Sequence, residues 1–337
     1  MAGIVDAHGH ITHPELLKRY PMPPVLGDIE GMLDRKSAVG IDLTVVGSPV
    51  GFGTMSKRGH DNYAQPLDEL KAFHEWLAET VHEHSPRLAA YAYTNPFGGD
   101  ELLDYTAATV REGNFVGLIV NTSVKGEYLD SERADPFFEM ANELGKPIFL
   151  HPPAEPVGSD SLEDFRLVEQ VGRFMDVTVG LAALVFGGRL EQYPDLEFVA
   201  ATAGGAIALL AGRLDSAYQP RHWGGPPKGN GGGPPGGGGP PGGGPSMMQY
   251  ENKITKNPST FLAKVYVDTA NSSVPNHVAN LELMGADRIL FGSDSPPLST
   301  PLDEAIGMVD ELPVSEEEKQ KILAGNARRL FDLDGNL

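Results

Sequence analysis

Two histidines stand two residues apart near the start of the chain, in "VDAHGH" at residues 5–10. A third, His151, follows the apolar "PIFL", and a carboxylate, Asp294, follows "RILFGS". Imidazole nitrogens with one carboxylate oxygen are a donor set for a divalent transition metal such as zinc. Side chains alternate along a strand, so His8 and His10 would point to the same side. Taken singly, each piece is ordinary. A His-x-His on a strand is more often incidental than ligating, and "GSD" can be a turn capped by its aspartate. The chain has no cysteine, so any metal site must use His, Asp or Glu. The metal reading therefore depends on elements that carry residues 8, 10, 151 and 294 to one place.

Eight short β-rich runs supply such elements: residues 3–9, 43–49, 88–96, 115–123, 147–153, 196–205, 264–270 and 288–297. Most are nearly continuous apolar runs, as expected for parallel strands covered on both faces. Helical stretches separate them. "DIEGMLDRKSAVG" begins at Asp28, a natural N-cap, and ends near Gly40. "PLDELKAFHEWLAETVHEH" carries Leu67, Leu70, Phe73, Leu77 and Val81 at helical spacing. Alternation of this kind over 337 residues predicts one α/β domain, a (β/α)₈ TIM barrel spanning residues 1–337. The rival, a doubly wound open sheet, would show a Gly-rich phosphate loop after the first strand, and "DAHGHITHPE" is not one. In the barrel, His8, His10, His151 and Asp294 all fall at the C-terminal ends of strands one, five and eight, where such folds build their active sites.

With these pieces in place, the chain resembles the amidohydrolase superfamily, in its aminocarboxymuconate-semialdehyde decarboxylase-like branch (the amidohydrolase 2 group). The resemblance rests on "VDAHGH", "FVGLIVNTS", "PIFLHPP", "GRLEQYPDLEFVAATAGG", "RILFGSDSPP" and "ILAGNARRLFDL". It implies that His8, His10, His151 and Asp294 bind one metal, zinc or manganese. It also implies that Asp294 protonates the carbon that loses carbon dioxide, while the metal acts as Lewis acid and template. Partial burial would raise the pKa of Asp294 and help, and the metal's charge would oppose it. In one respect the chain departs from the family. Where relatives carry a histidine after the sixth strand, "AATAGG" places Thr202, whose hydroxyl cannot serve as a general base near neutral pH.

The implied activity is a lyase: decarboxylation of a small aromatic or unsaturated carboxylic acid. The alternatives are a metal-dependent hydrolase or hydratase, a repurposed cyclase or lyase, and a silent scaffold. Substrate contacts are expected from Arg58 and His60 in "SKRGHDNY", whose arginine offers a planar fork to a carboxylate. Asn121, at the end of strand four, is a further candidate. His222 precedes a Gly/Pro-rich insert at 224–245, "GGPPKGNGGGPPGGGGPPGGGP". That insert cannot bury apolar surface and reads as a flexible loop within the barrel, with His222 a candidate to compensate for Thr202. Asn95 fits turn chemistry, and His13, His74, His82 and His84 are expected on the surface. A net charge of -20 disfavours nucleic acid and anionic membranes as partners. With no signal-peptide pattern and no apolar run able to span a bilayer, a cytoplasmic enzyme is expected. The family resemblance adds a homodimer.

Overall fold

The computed structural model describes residues 3–20, 22–51, 61–113, 115–162, 164–218 and 253–333. Arg58, His60, His222 and the insert at 224–245 lie outside the described residues. Eight strands form one sheet in chain order, each parallel to the next: β1 (Ile4–His10), β2 (Ile41–Gly47), β3 (Leu88–Tyr93), β4 (Phe115–Asn121), β5 (Ile148–His151), β6 (Phe198–Ala200), β7 (Tyr266–Asp268) and β8 (Ile289–Leu290). Two backbone bonds bring the last strand back to the first: Ala7 N donates to Phe291 O at 2.8 Å, and Asp294 N donates to His8 O at 2.8 Å. The second bond joins two of the segments expected to carry metal ligands.

The helices that cover the barrel are α1 (Ile29–Ala38), α2 (Leu67–Glu83), α3 (Asp100–Glu112), α4 (Asp135–Leu144), α5 (Arg173–Phe186), α6 (Ile207–Tyr218), α7 (Val274–Met284) and α8 (Leu302–Asp310). Asp28 caps α1, its side chain accepting from Gly31 N at 3.1 Å. The strands are buried almost throughout because helices shield their outer face and neighbouring strands fill the interior. Every β-to-α connection of such a fold leaves from the same rim. Residues distant in sequence therefore meet there. Among the described residues, no helix is long and apolar enough to cross a membrane.

Two expectations change. The later strands are shorter than the apolar runs suggested. β6 stops at Ala200 because Thr202, Ala203, Gly204 and Gly205 all take positive φ, at 52°, 59°, 68° and 61°. Such a left-handed turn cannot continue a strand, and it strains the two non-glycine residues by about 1–2 kcal/mol each. The α2 histidines also divide: His82 is exposed, whereas His74 and His84 are buried. His74 lies inside the helix's apolar stripe, between Leu70 and Leu77, and packs against the barrel. His13 is half-buried and caps a short helix, its Nδ1 accepting from Glu15 N.

Candidate metal centre

The rim carries His8, His10 and His151 together, each buried, with one ring nitrogen apiece lying within 4.8 Å of the others. In each ring the Nδ1 atom is already engaged. His8 Nδ1 meets Asp268 Oδ2 at 2.6 Å, His10 Nδ1 meets Gly47 O at 2.9 Å, and His151 Nδ1 meets Pro152 O at 2.8 Å. All three acceptors are oxygens, so the proton of each neutral ring belongs on Nδ1. The three Nε2 atoms then present lone pairs. His8 Nε2 and His10 Nε2 face each other at 3.1 Å, and Asp294 Oδ1 stands 3.5 Å from the first and 3.0 Å from the second. Lone pairs and a carboxylate converging at these distances repel unless a cation or a proton sits among them. Three nitrogens and one oxygen, with outer-shell acceptors fixing the ring tautomers, fit a divalent metal ion.

The electrostatics follow from the same groups. Burial disfavours the charged form of His8, but the carboxylates of Asp294 and Asp268 outweigh it and raise its pKa. Burial, with His10 and Arg173 nearby, holds His151 well below the usual imidazole range, so it stays neutral. Burial would lift Asp294, yet His8 and His10 outweigh it and its pKa falls. The raised pKa anticipated for Asp294 is therefore corrected: even without a metal, the neighbouring imidazoles hold it as a carboxylate.

Close packing fixes the donors. Gly292, at the end of β8, lies so near the site that a Cβ there would come within 2.9 Å of Asp268 Cβ and 3.0 Å of His8 Cβ. Phe149 sits edge-on to His8, with ring centroids 4.8 Å apart. Asp268, which ends β7, does two things at once. One oxygen orients His8, and the other accepts from Ala203 N at 2.9 Å and Ala270 N at 3.1 Å. It thereby pins the left-handed turn after β6, which Asn280 and Asn276 also hold by donating to Ala203 O and Gly205 O. Thr202 heads that turn, and its buried Oγ1 has no hydrogen-bond partner among the described residues.

The remaining candidates separate. Asn121 stands opposite His151 in the sheet register and donates to Pro152 O at 3.5 Å, beside the His151 contact. Asn95 accepts from Phe97 N, ordinary turn chemistry. Sequence reasoning missed Asp268 and Arg173. The one signal for Asp268 was that it is an acid ending the apolar run "KVYVD". Arg173 opens α5 at the rim, pairs with Glu169 at 2.9 Å, and its charge bears on both Asp294 and His151.

Comparison with known proteins agrees with this geometry. A sequence profile describing amidohydrolases matches residues 5–333. The chain is 24% identical over 300 residues to the 2-amino-3-carboxymuconate-6-semialdehyde decarboxylase of Dictyostelium discoideum, which covers 88% of this chain and 74% of that protein. Its fold matches the 5-carboxyvanillate decarboxylase of Sphingomonas paucimobilis with a TM-score of 0.75 at 17% identity, over 98% of this chain and 99% of that one. It also matches a dihydroxybenzoic acid decarboxylase from Polaromonas sp. JS666, solved with bound manganese and the inhibitor 2-nitroresorcinol. There the TM-score is 0.72 at 20% identity, covering 99% of this chain and 98% of that one.

Proposed function

Because the chain belongs to the amidohydrolase family, we propose that it is a metal-dependent decarboxylase of a small aromatic or unsaturated carboxylic acid. The observation that carries this reading is the meeting of one ring nitrogen each from His8, His10 and His151, with Asp294 Oδ1 beside the Nε2 atoms of His8 and His10. These four residues would hold one divalent cation, zinc as first choice and manganese as second. The second is supported by the manganese in the Polaromonas relative. When bound, such an ion supplies Lewis-acid polarisation and a template for substrate oxygens.

The chain's own groups do the rest. Asp294 begins as a carboxylate, takes up one proton per turnover, and hands it to the carbon whose bond to the carboxyl group breaks. The bonding pair of that bond moves to the new C–H bond, and carbon dioxide leaves. Asp268 holds His8 in orientation throughout. Arg173 supports recognition of an anionic substrate by placing positive charge toward the rim, and Arg58 and His60 are proposed to share that task from the loop after β2. Asn121 would brace the β5 end beside the substrate, and His222 would approach from the edge of the insert. Thr202 offers a hydroxyl with no hydrogen-bond partner among the described residues, able to hold a water or a substrate oxygen but not to act as a base. A hydrolytic mechanism is less well served, because among the described residues the turn after β6 supplies no imidazole.

The proposal extends to a cytoplasmic homodimer. Val171, in the helical turn just before α5, and Met175 and Val179 on α5 form an exposed apolar stripe at helical spacing, and Leu209 is exposed on the neighbouring α6. Such a stripe suits burial against a second copy.

A panel of hydroxybenzoates and unsaturated carboxylic acids, assayed for carbon dioxide release before and after chelation, tests the activity. Release that chelation abolishes and zinc or manganese restores is expected. Turnover that survives chelation would remove the metal from the proposal. Hydrolysis of an ester or lactone panel without any decarboxylation would replace it with the hydrolytic reading.

A further inference from the structure

Asp6 opens the "DAHGH" stretch two residues before His8, is fully buried, and has no place in the metal's donor set. Its carboxylate is saturated. Oδ1 accepts from His8 N at 3.1 Å and Ser293 N at 2.9 Å, and Oδ2 accepts from Ser293 Oγ at 2.6 Å and pairs with Lys36 Nζ at 2.5 Å. Lys36 comes from α1 and is only 2% exposed. An ion pair this deep is costly to desolvate, and replacing both partners by apolar groups is often neutral or stabilising. Its presence calls for a reason other than stability.

The partners of Asp6 suggest one. Three of its four bonds go to the backbone or side chain of residues that carry or adjoin ligands: His8 on one side, Ser293 next to Asp294 on the other. Asp294 N in turn donates to His8 O. The carboxylate thus clamps the end of β1 to the segment after β8, where the barrel closes. Gly9 belongs to the same arrangement. A Cβ there would approach Thr44 Cγ2 to 2.7 Å and Lys36 Nζ to 3.3 Å, so the glycine between the two histidines leaves room for the ammonium group.

We propose that the Lys36–Asp6–Ser293 network is a positioning device that sets His8 against Asp294 at the separation a metal ion requires. Asp6 and Ser293 position the ligand segments, and Lys36 anchors the Asp6 carboxylate inside the barrel. The inference rests on the metal-dependent reading above. Outer-shell partners of this kind typically change metal affinity by about 10–100-fold when removed.

The test is manganese(II) titration of the full chain after chelation, with the thermal midpoint of the metal-free protein recorded in parallel. Lys36→Met alone would strand a buried charge and can unfold the chain. The informative variants are therefore Ser293→Ala and the double change Asp6→Asn with Lys36→Met, which removes both charges together. Both should fold with a near-native metal-free midpoint and bind manganese about 10–100-fold more weakly. Lys36→Arg, which keeps the charge beside Asp6, should retain most of the native affinity. His151→Ala separates the two levels of inference. If native protein binds manganese and His151→Ala does not, while both network variants bind as tightly as native, the positioning role is wrong and the metal site stands. If native protein and His151→Ala are equally unable to bind manganese and, in a parallel titration, zinc, the metal reading itself falls. Affinity lost only in proportion to a lowered metal-free midpoint would make the network structural and overturn the proposal.

Discussion

His74, where α2 packs on β3, and His151, on the rim, are equally buried, at 1% exposure each, yet they are built for opposite purposes. His74 has both ring nitrogens occupied by the protein: Nε2 accepts from Tyr93 N at 3.1 Å, and Nδ1 meets Tyr105 Oη at 3.0 Å. Nothing remains for a ligand. His151 has Nδ1 committed to Pro152 O, and its other nitrogen joins those of His8 and His10. Burial alone therefore does not mark a functional histidine. What marks it is one nitrogen held by the protein and the other turned toward further donors.

The largest expected effect tests that distinction at the rim. His151→Ala should remove one of the four donors and with it most of the bound metal. Elemental analysis should find close to one equivalent of metal in native protein and a small fraction in the variant, with activity falling at least about a thousandfold, since metal chemistry is lost with the ion. A variant that kept a full equivalent would place the ion elsewhere. Next comes Asp294→Asn, which keeps the side chain's shape but cannot carry the proton. Proton transfer by a positioned group contributes roughly 10²–10⁴-fold, so kcat should fall within that range. Asparagine oxygen is a weaker ligand, and retention of metal in the variant, checked by elemental analysis, is needed to assign the loss to the proton.

Asp268→Asn addresses the difference between the two histidines at its root. Asparagine has one acceptor oxygen where Asp268 uses two, so it can accept from His8 Nδ1 or from Ala203 N but cannot serve both, and it carries no charge. Metal affinity should drop by about 10–100-fold, read by competition with a chelating dye. An unchanged affinity would mean that packing against Phe149, not Asp268, orients His8.

The strand-end placement of His8, His10, His151 and Asp294 was legible in the sequence because a parallel barrel sends every strand's C-terminus to one rim. Apolar runs alone were enough to count the strands. The signal for Asp268 was weak, because the acid that ends "KVYVD" reads equally well as a turn. Its partner His8 is 260 residues away, and no local pattern connects them. The left-handed turn at Thr202 was hidden because Thr and Ala disfavour positive φ, so local propensity argued against it. His74 was misread for a different reason. It stands four residues after Leu70 and three before Leu77, squarely on the buried stripe. The periodicity already placed it inside, and expecting a polar residue on the surface overrode that spacing.

The smallest effect concerns His74 alone and should leave the metal untouched. Burial pushes its pKa down from 6.5 to about 3. An unfolded chain takes up the proton below pH 6.5 while the folded chain refuses it, so stability falls as pH drops from 6.5 toward 3. At pH 5 the cost is about 2 kcal/mol, and at pH 7 it is close to zero. His74→Gln keeps an acceptor for Tyr93 N and does not titrate. Urea unfolding at pH 7 and pH 5 should then show a stability loss about 2 kcal/mol smaller for the variant than for native protein. Manganese affinity at pH 7 should be the same for both. Equal acid sensitivity would mean that His74 gains its proton inside the fold. A changed metal affinity would mean that the two kinds of buried histidine are not independent after all.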